Sequence, residues 1–186
     1  MLKSIIISGP PAIGKTTIAK GLAKEFGLTH LSGGDILKEL AEEEGFETKG
    51  DDWWDTQEGI DFLSKRQENP EFDKKVDDKL KKLFSKGSVV ITSYTLPWLV
   101  EGGVKIWLDG SKENSAQRMT ARDNLSKDAA LEIVQKRYQE NKKIYKALYG
   151  FEFGEDLSVF DKVIETDGLN ASQVLDIAKT VVRKLF

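Results

Sequence analysis

Glycine stands at both ends of the run Gly9-Pro10-Pro11-Ala12-Ile13-Gly14, and Lys15, Thr16 and Thr17 follow without a gap. The spacing matches in full the pattern of a loop that wraps phosphate between a strand and a helix. Backbone N–H groups must turn inward if such a loop is to hold anionic oxygens, and glycines at its ends relieve the backbone strain. The helix that follows adds the positive end of its dipole to the same place. Lys15 then reaches the β- and γ-phosphates of a nucleotide, the Thr16 hydroxyl is placed to ligate Mg²⁺, and Thr17 assists from the next position. A chance glycine-rich turn before a buried helix would not need the whole pattern in this context.

A phosphate loop alone does not separate a kinase from a switch or a motor, and three further features favour a kinase. Gly33-Gly34-Asp35 opens a predicted helix directly after a predicted strand, where an acceptor-binding segment would begin. Asp35 there either contacts the acceptor or a metal-bound water, or serves as a helix cap. Arg118 and Arg122 stand four residues apart, so both guanidiniums project from one helical face. They follow a predicted strand at 104–109 and precede a polar turn, as a mobile lid over a triphosphate would; a solvated charged face is the plainer reading. Arg137 lies beside Val134 and Tyr138 on the apolar side of its helix, which asks for an anionic partner, either phosphate or carboxylate. Arginine is scarce in this chain, so three between 118 and 137 form a notable cluster. A guanine-reading Asn-Lys-x-Asp segment is missing from the sequence, and Thr92 and Ser93 end the third strand where a motor ATPase carries an acid.

These residues need a scaffold, and short β-branched runs alternating with helical periods supply one: βαβ units around a parallel sheet. Strands are predicted at 3–8, 28–32, 88–93, 104–109 and 162–166, with helices near 15–26, 33–45, 70–86, 111–123, 127–149 and 171–185. Phe72, Val76, Leu80 and Leu83 give the helix at 70–86 its apolar stripe, with Asn69 as cap and Pro70 in the first turn. Ser126 caps the helix at 127–149, whose stripe is Ile133, Val134, Tyr138, Tyr145 and Leu148. The stretch 46–68, with Trp53 and Trp54, has no clear period.

The 186 residues suit one α/β domain, and nothing in them reads as a linker or repeat. A net charge of −3 gives the molecule no electrostatic reason to seek nucleic acid. No apolar run approaches the roughly 20 residues that span a bilayer, and the N-terminus lacks signal-peptide zones. Cysteine is absent, which excludes a disulfide framework and thiolate metal sites; a cytoplasmic location fits. His30 and the Trp53–Trp54 pair read as structural rather than metal or partner sites.

Taken together, the segments Ile7–Thr17, Ser32–Ile36 and Asn69–Asp73 with Asp77 resemble the archaeal-type cytidylate kinases of the nucleoside monophosphate kinase group. The likeness continues through Lys105–Leu108, Arg118 with Arg122, Tyr145–Gly150 and Leu157–Asp161. It implies an α/β fold of the P-loop NTPase type, three layers αβα, with a five-stranded parallel sheet in the order 2-3-1-4-5. It also implies a core at 1–45, 86–117 and 150–186, an acceptor-binding helical insertion at about 46–85 and a short lid at about 118–137. ATP and Mg²⁺ follow as donor and metal, and a small-molecule acceptor as partner. Such kinases end the third strand with Glu-Gly-Arg, whereas this chain reads Thr92-Ser93-Tyr94, so Tyr94 stands where an arginine holds the acceptor phosphate. Ile144 occupies a second arginine position, and Asn141 replaces an acid that reads the base. The resemblance therefore places Asp35, Lys38, Tyr94, Arg137 and Asn141 around the acceptor, with Lys142, Lys143 and Lys146 as further sources of positive charge. CMP or dCMP is the acceptor it implies. A phosphorylated or carboxylated metabolite such as mevalonate 3-phosphate is the alternative, and a nucleotide-binding regulatory protein without turnover is the rival.

Overall fold

The computed structural model of the chain describes residues 3–48, 58, 59, 61, 62, 65, 69, 71–123 and 125–186, with residues 122 and 123 by backbone alone. Trp53, Trp54, Pro70 and the side chain of Arg122 lie outside the described residues. Five strands, β1 (Ile5–Ser8), β2 (Thr29–Ser32), β3 (Val89–Thr92), β4 (Val104–Asp109) and β5 (Lys162–Glu165), form one sheet in the order β2-β3-β1-β4-β5. All pairings are parallel, with Ile6 opposite Ile91 and Ile7 opposite Ile106. This is the order that the resemblance implies.

The helices are α1 (Lys15–Phe26), α2 (Gly33–Glu43), α3 (Glu71–Lys86), α4 (Leu96–Leu99), α5 (Lys112–Asp123), α6 (Lys127–Tyr149) and α7 (Ala171–Leu185). Side chains of a strand alternate between sheet faces, and β1 shows the result. Ile5 and Ile7 pack with Ile18, Leu22, Val174 and Val182 of α1 and α7, while Ile6 packs on the other face with Leu40, Val76 and Leu80 of α2 and α3. Phe62 joins that second layer, wedged edge-on between Phe46 and Phe72 at 5.3 Å from each.

The stripe expected for α3 is the buried one, and the Asn69 side chain accepts from the Glu71 N–H as its cap. Along α6 the expectation needs one correction, because Ile133 is exposed. The helix divides its contacts: Ala130 and Val134 pack on Ala116 and Met119 of α5, whereas Tyr138, Ile144 and Tyr145 join an aromatic cluster further on. Ile133 falls off both faces. The short α4, which periodicity does not announce, begins with Pro97 in its first turn and places Trp98 flat on Phe151, with ring centres 4.5 Å apart. Below it, the Lys105 ammonium donates to the carbonyl oxygens of Pro97 and Val100, at 2.8 and 2.5 Å.

Gly9 marks the point where the chain leaves β1. Its φ of 146° is hostile to a side chain, and a Cβ would stand 2.3 Å from the carbonyl oxygen of Leu108 on β4. Neither the backbone nor its neighbour can yield cheaply. We therefore expect Gly9→Ala to lower the unfolding free energy by about 2 kcal/mol or more in denaturant melts. Gly34→Ala, where a Cβ meets nothing nearer than 3.7 Å, should stay within about 0.5 kcal/mol of the parent. Leu80→Ala, fully buried, should cost about 2–5 kcal/mol in the same assay.

Candidate active site

The loop from Gly9 to Gly14 runs from β1 into α1, with Ala12 and Gly14 both at positive φ (58° and 98°). Thr16 and Thr17 are exposed in the first turn of α1, and Lys15 is half-buried behind them. The Lys15 ammonium donates to the carbonyl oxygens of Gly9 and Pro10, at 3.0 and 2.6 Å. It also sits 4.5 Å from the centre of the Tyr94 ring, within cation–π range. Burial pushes its pKa below the ordinary lysine range; the Tyr94 hydroxyl works against that push and Arg137 reinforces it. A cation in such a setting is poised to exchange carbonyl partners for a stronger anion.

Two of the expected residues thus meet from distant parts of the chain, Lys15 from the start of α1 and Tyr94 from the turn after β3, and the charge of Arg137 on α6 is felt there. Arg137 itself is exposed rather than set among core side chains, so it does not need the buried anionic partner that its position on the helix suggests. Arg118 approaches from α5. One of its terminal nitrogens donates to the carbonyl of Ile13, and a Cβ on Gly14 would come within 2.7 Å of that nitrogen. Beyond Arg118 opens a cleft of about 470 Å³ lined by Ser111, Asn114, Gln117, Lys127, Asp167 and Gly168. Its floor is ordered: Asp167 accepts from the Ser111 N–H at 3.0 Å and from the Asn114 amide at 2.7 Å. Against the upward push of desolvation, these bonds hold the Asp167 carboxyl below its usual range, with help from Arg118. No motif marks Ser111, Asn114 or Asp167, because they meet only when β4 and β5 lie side by side.

The remaining expected residues are arranged differently. Ser32, not Asp35, caps α2: its hydroxyl accepts from the Asp35 N–H at 3.0 Å. The Asp35 side chain is left exposed, close enough to His30 to act on its charge. His30 is not the satisfied structural residue expected, since its Nε2 is buried with no hydrogen-bond partner among the described residues. Lys38 is half-buried one turn further along α2. Asn141 is buried and accepts from the Tyr145 hydroxyl at 3.4 Å, and Tyr145 lies 6.3 Å from Tyr94. Lys142 and Lys146 are not free sources of charge, because they pair with Glu155 and Glu152 after α6.

One buried group on this side has a setting that no motif announces. Asp77 of α3 is 3% exposed, and its carboxylate accepts from the Thr95 hydroxyl and, at 2.6 Å, from the Tyr149 hydroxyl. Burial pushes its pKa up to about 6, with those two bonds and Lys81 pulling down and Asp73 pushing up. The folded carboxyl therefore holds a proton more tightly than the unfolded one. Its burial costs stability above about pH 6, and the cost disappears by about pH 4. Relative to Asp77→Asn, the parent should gain on the order of 2 kcal/mol of unfolding free energy between pH 7 and pH 4, measured by chemical denaturation at each pH.

Residues 4–168 match the family model described as the cytidylate kinase-like family. A cytidylate kinase of Sulfurisphaera tokodaii is 35% identical over 176 residues, covering 93% of this chain and 91% of that protein. A cytidylate kinase of Methanocaldococcus jannaschii is 32% identical over 186 residues, covering 97% and 98%. Among solved structures, a shikimate kinase from Bacteroides thetaiotaomicron superposes with a TM-score of 0.58 at 15% identity, covering 100% of this chain and 96% of its own, which establishes shared fold alone. The match of residues 4–168 to the family, full-length relatives at 32–35% identity and a five-stranded parallel sheet in the order β2-β3-β1-β4-β5 make the chain a phosphotransferase of the cytidylate kinase-like family.

Proposed function

We propose that the chain transfers the γ-phosphoryl group of ATP to a small phosphorylated acceptor, with CMP or dCMP as that acceptor. The observation that carries this reading is the half-buried Lys15 ammonium, resting on two loop carbonyls and the Tyr94 ring, with Arg118 bonded to the Ile13 carbonyl of the same loop. The loop fits a triphosphate: Gly9 leaves no room for a side chain, and the loop backbone enters a helix N-terminus. The donor's base and sugar suit the 470 Å³ cleft beyond Arg118. Mg²⁺ would be held by the Thr16 hydroxyl together with donor phosphates, a ligand set that needs few protein groups, and would supply charge neutralisation.

The chain's own residues then do the remaining work. Lys15 leaves the Gly9 and Pro10 carbonyls for the β- and γ-phosphates, Arg118 and Arg122 close over them, and Arg137 receives the acceptor's anion. Asp35 positions the acceptor, and would act as a weak general base for an alcohol. Lys38, Tyr94 and Asn141 line the acceptor side.

A second acceptor class is favoured by a specific observation. Tyr94 stacks on Lys15 instead of presenting a guanidinium, and Ile144 packs into the aromatic cluster. Taking one cationic partner away from a bound phosphate costs about 2–5 kcal/mol, enough to redirect the site to a non-nucleotide metabolite such as mevalonate 3-phosphate.

ADP release from ATP–Mg²⁺ should appear with at least one member of a panel of CMP, dCMP, UMP, AMP, shikimate and mevalonate 3-phosphate. Lys15→Ala should lower that turnover by about a hundredfold or more. CMP-dependent release supports the first acceptor class, and release with the last compound alone supports the second. Full turnover in Lys15→Ala would sink the mechanism.

A further inference from the structure

Asp77 takes no part in the chemistry above, yet among the described residues it is the most enclosed carboxylate, 3% exposed. The charged groups acting on it are Asp73, itself buried on the same face of α3, and more weakly Lys81 of the same helix. Among the described residues, what faces it from elsewhere is neutral: the Thr95 hydroxyl from the turn after β3 and the Tyr149 hydroxyl from the last turn of α6. A buried carboxylate balanced so weakly is a costly way to fill space, and apolar packing would serve stability better. Its two acceptor oxygens do something an apolar side chain cannot, which is to fix two hydroxyls from two separate elements at one point.

Those two elements carry the residues around Lys15. Tyr94 immediately precedes Thr95, in a turn that the Ser93 hydroxyl also tightens by accepting from the N–H groups of Thr95 and Leu96, at 3.2 and 3.1 Å. Arg137 rides on α6, twelve residues before Tyr149 on one continuous helix, about 18 Å along its axis. The Tyr94 ring lies 4.5 Å from the Lys15 ammonium, and the Arg137 charge is felt at the same ammonium.

We infer that Asp77 is a positioning residue, holding the Tyr94 turn and the Arg137 helix in one register around Lys15 through its bonds to Thr95 and Tyr149. This inference rests on the phosphoryl-transfer reading for its kinetic consequence, but not for its geometric one.

The test compares Thr95→Val, Thr95→Ser and Tyr149→Phe with the parent, in the full chain and well below each unfolding midpoint. Two quantities are read: kcat and KM with the best acceptor, and the rate of Lys15 acetylation by acetic anhydride at neutral pH, followed by peptide mass spectrometry. Thr95→Val and Tyr149→Phe should lower kcat about tenfold with the ATP KM within about twofold, and acetylate Lys15 several-fold faster as Tyr94 leaves it. Thr95→Ser, which keeps the hydroxyl and loses the methyl group, should match the parent in both. If Val keeps parental values and Ser loses them, Thr95 acts by packing and the inference is overturned. Parental values in all three overturn it as well. Should the parent itself transfer no phosphoryl group, the kinase reading falls, and the acetylation rates alone decide on Asp77.

Discussion

A lysine ammonium set against two backbone carbonyls and a tyrosine face is the constraint to which the rest of this molecule answers. Water solvates an ammonium far better than that setting does, so the cation is held there at a cost. Keeping it there requires a loop whose carbonyls converge on one point. That loop in turn needs Gly9 pressed against the Leu108 carbonyl of the neighbouring strand. The central position of β1 in the sheet, with β3 on one side and β4 on the other, supplies the rigid platform. Residues from both flanks then reach the loop: Tyr94 from beyond β3, Arg118 from beyond β4.

The two sides of the site are held by different physics. At the cleft beyond Arg118, polar bonds dominate: Asp167 gathers Ser111 and Asn114, and Arg118 reaches across to the Ile13 carbonyl. Around Tyr94, stacked rings dominate. Trp98 lies on Phe151, Tyr94 meets Phe153 edge-on at 5.6 Å, and Trp107 and Phe160 close the cluster. Aromatic side chains cost little conformational entropy for the area they bury, so such a wall is stiff.

How much of this is legible in the sequence depends on distance along the chain. The phosphate loop is contiguous and the α3 stripe repeats every three or four residues, so both can be read directly. The strand order follows from resemblance rather than from spacing. Ile133 misleads because α6 changes partner halfway, which one helical period cannot announce. Lys142 and Lys146 look like free charge because Glu152 and Glu155 fold back on them only after the chain turns at Gly150. The partners of Asp77 and Asp167 cannot be found from local pattern, since Tyr149 lies 72 residues from the first and Ser111 lies 56 from the second.

The most direct measurement of the central claim is a crystal structure of the chain with a non-hydrolysable ATP analogue and Mg²⁺. In that structure the Lys15 ammonium should leave the Gly9 and Pro10 carbonyls and bind β- and γ-phosphate oxygens, with the Tyr94 ring displaced from its 4.5 Å stacking distance. A nucleotide bound elsewhere, with Lys15 still on those carbonyls, would contradict it.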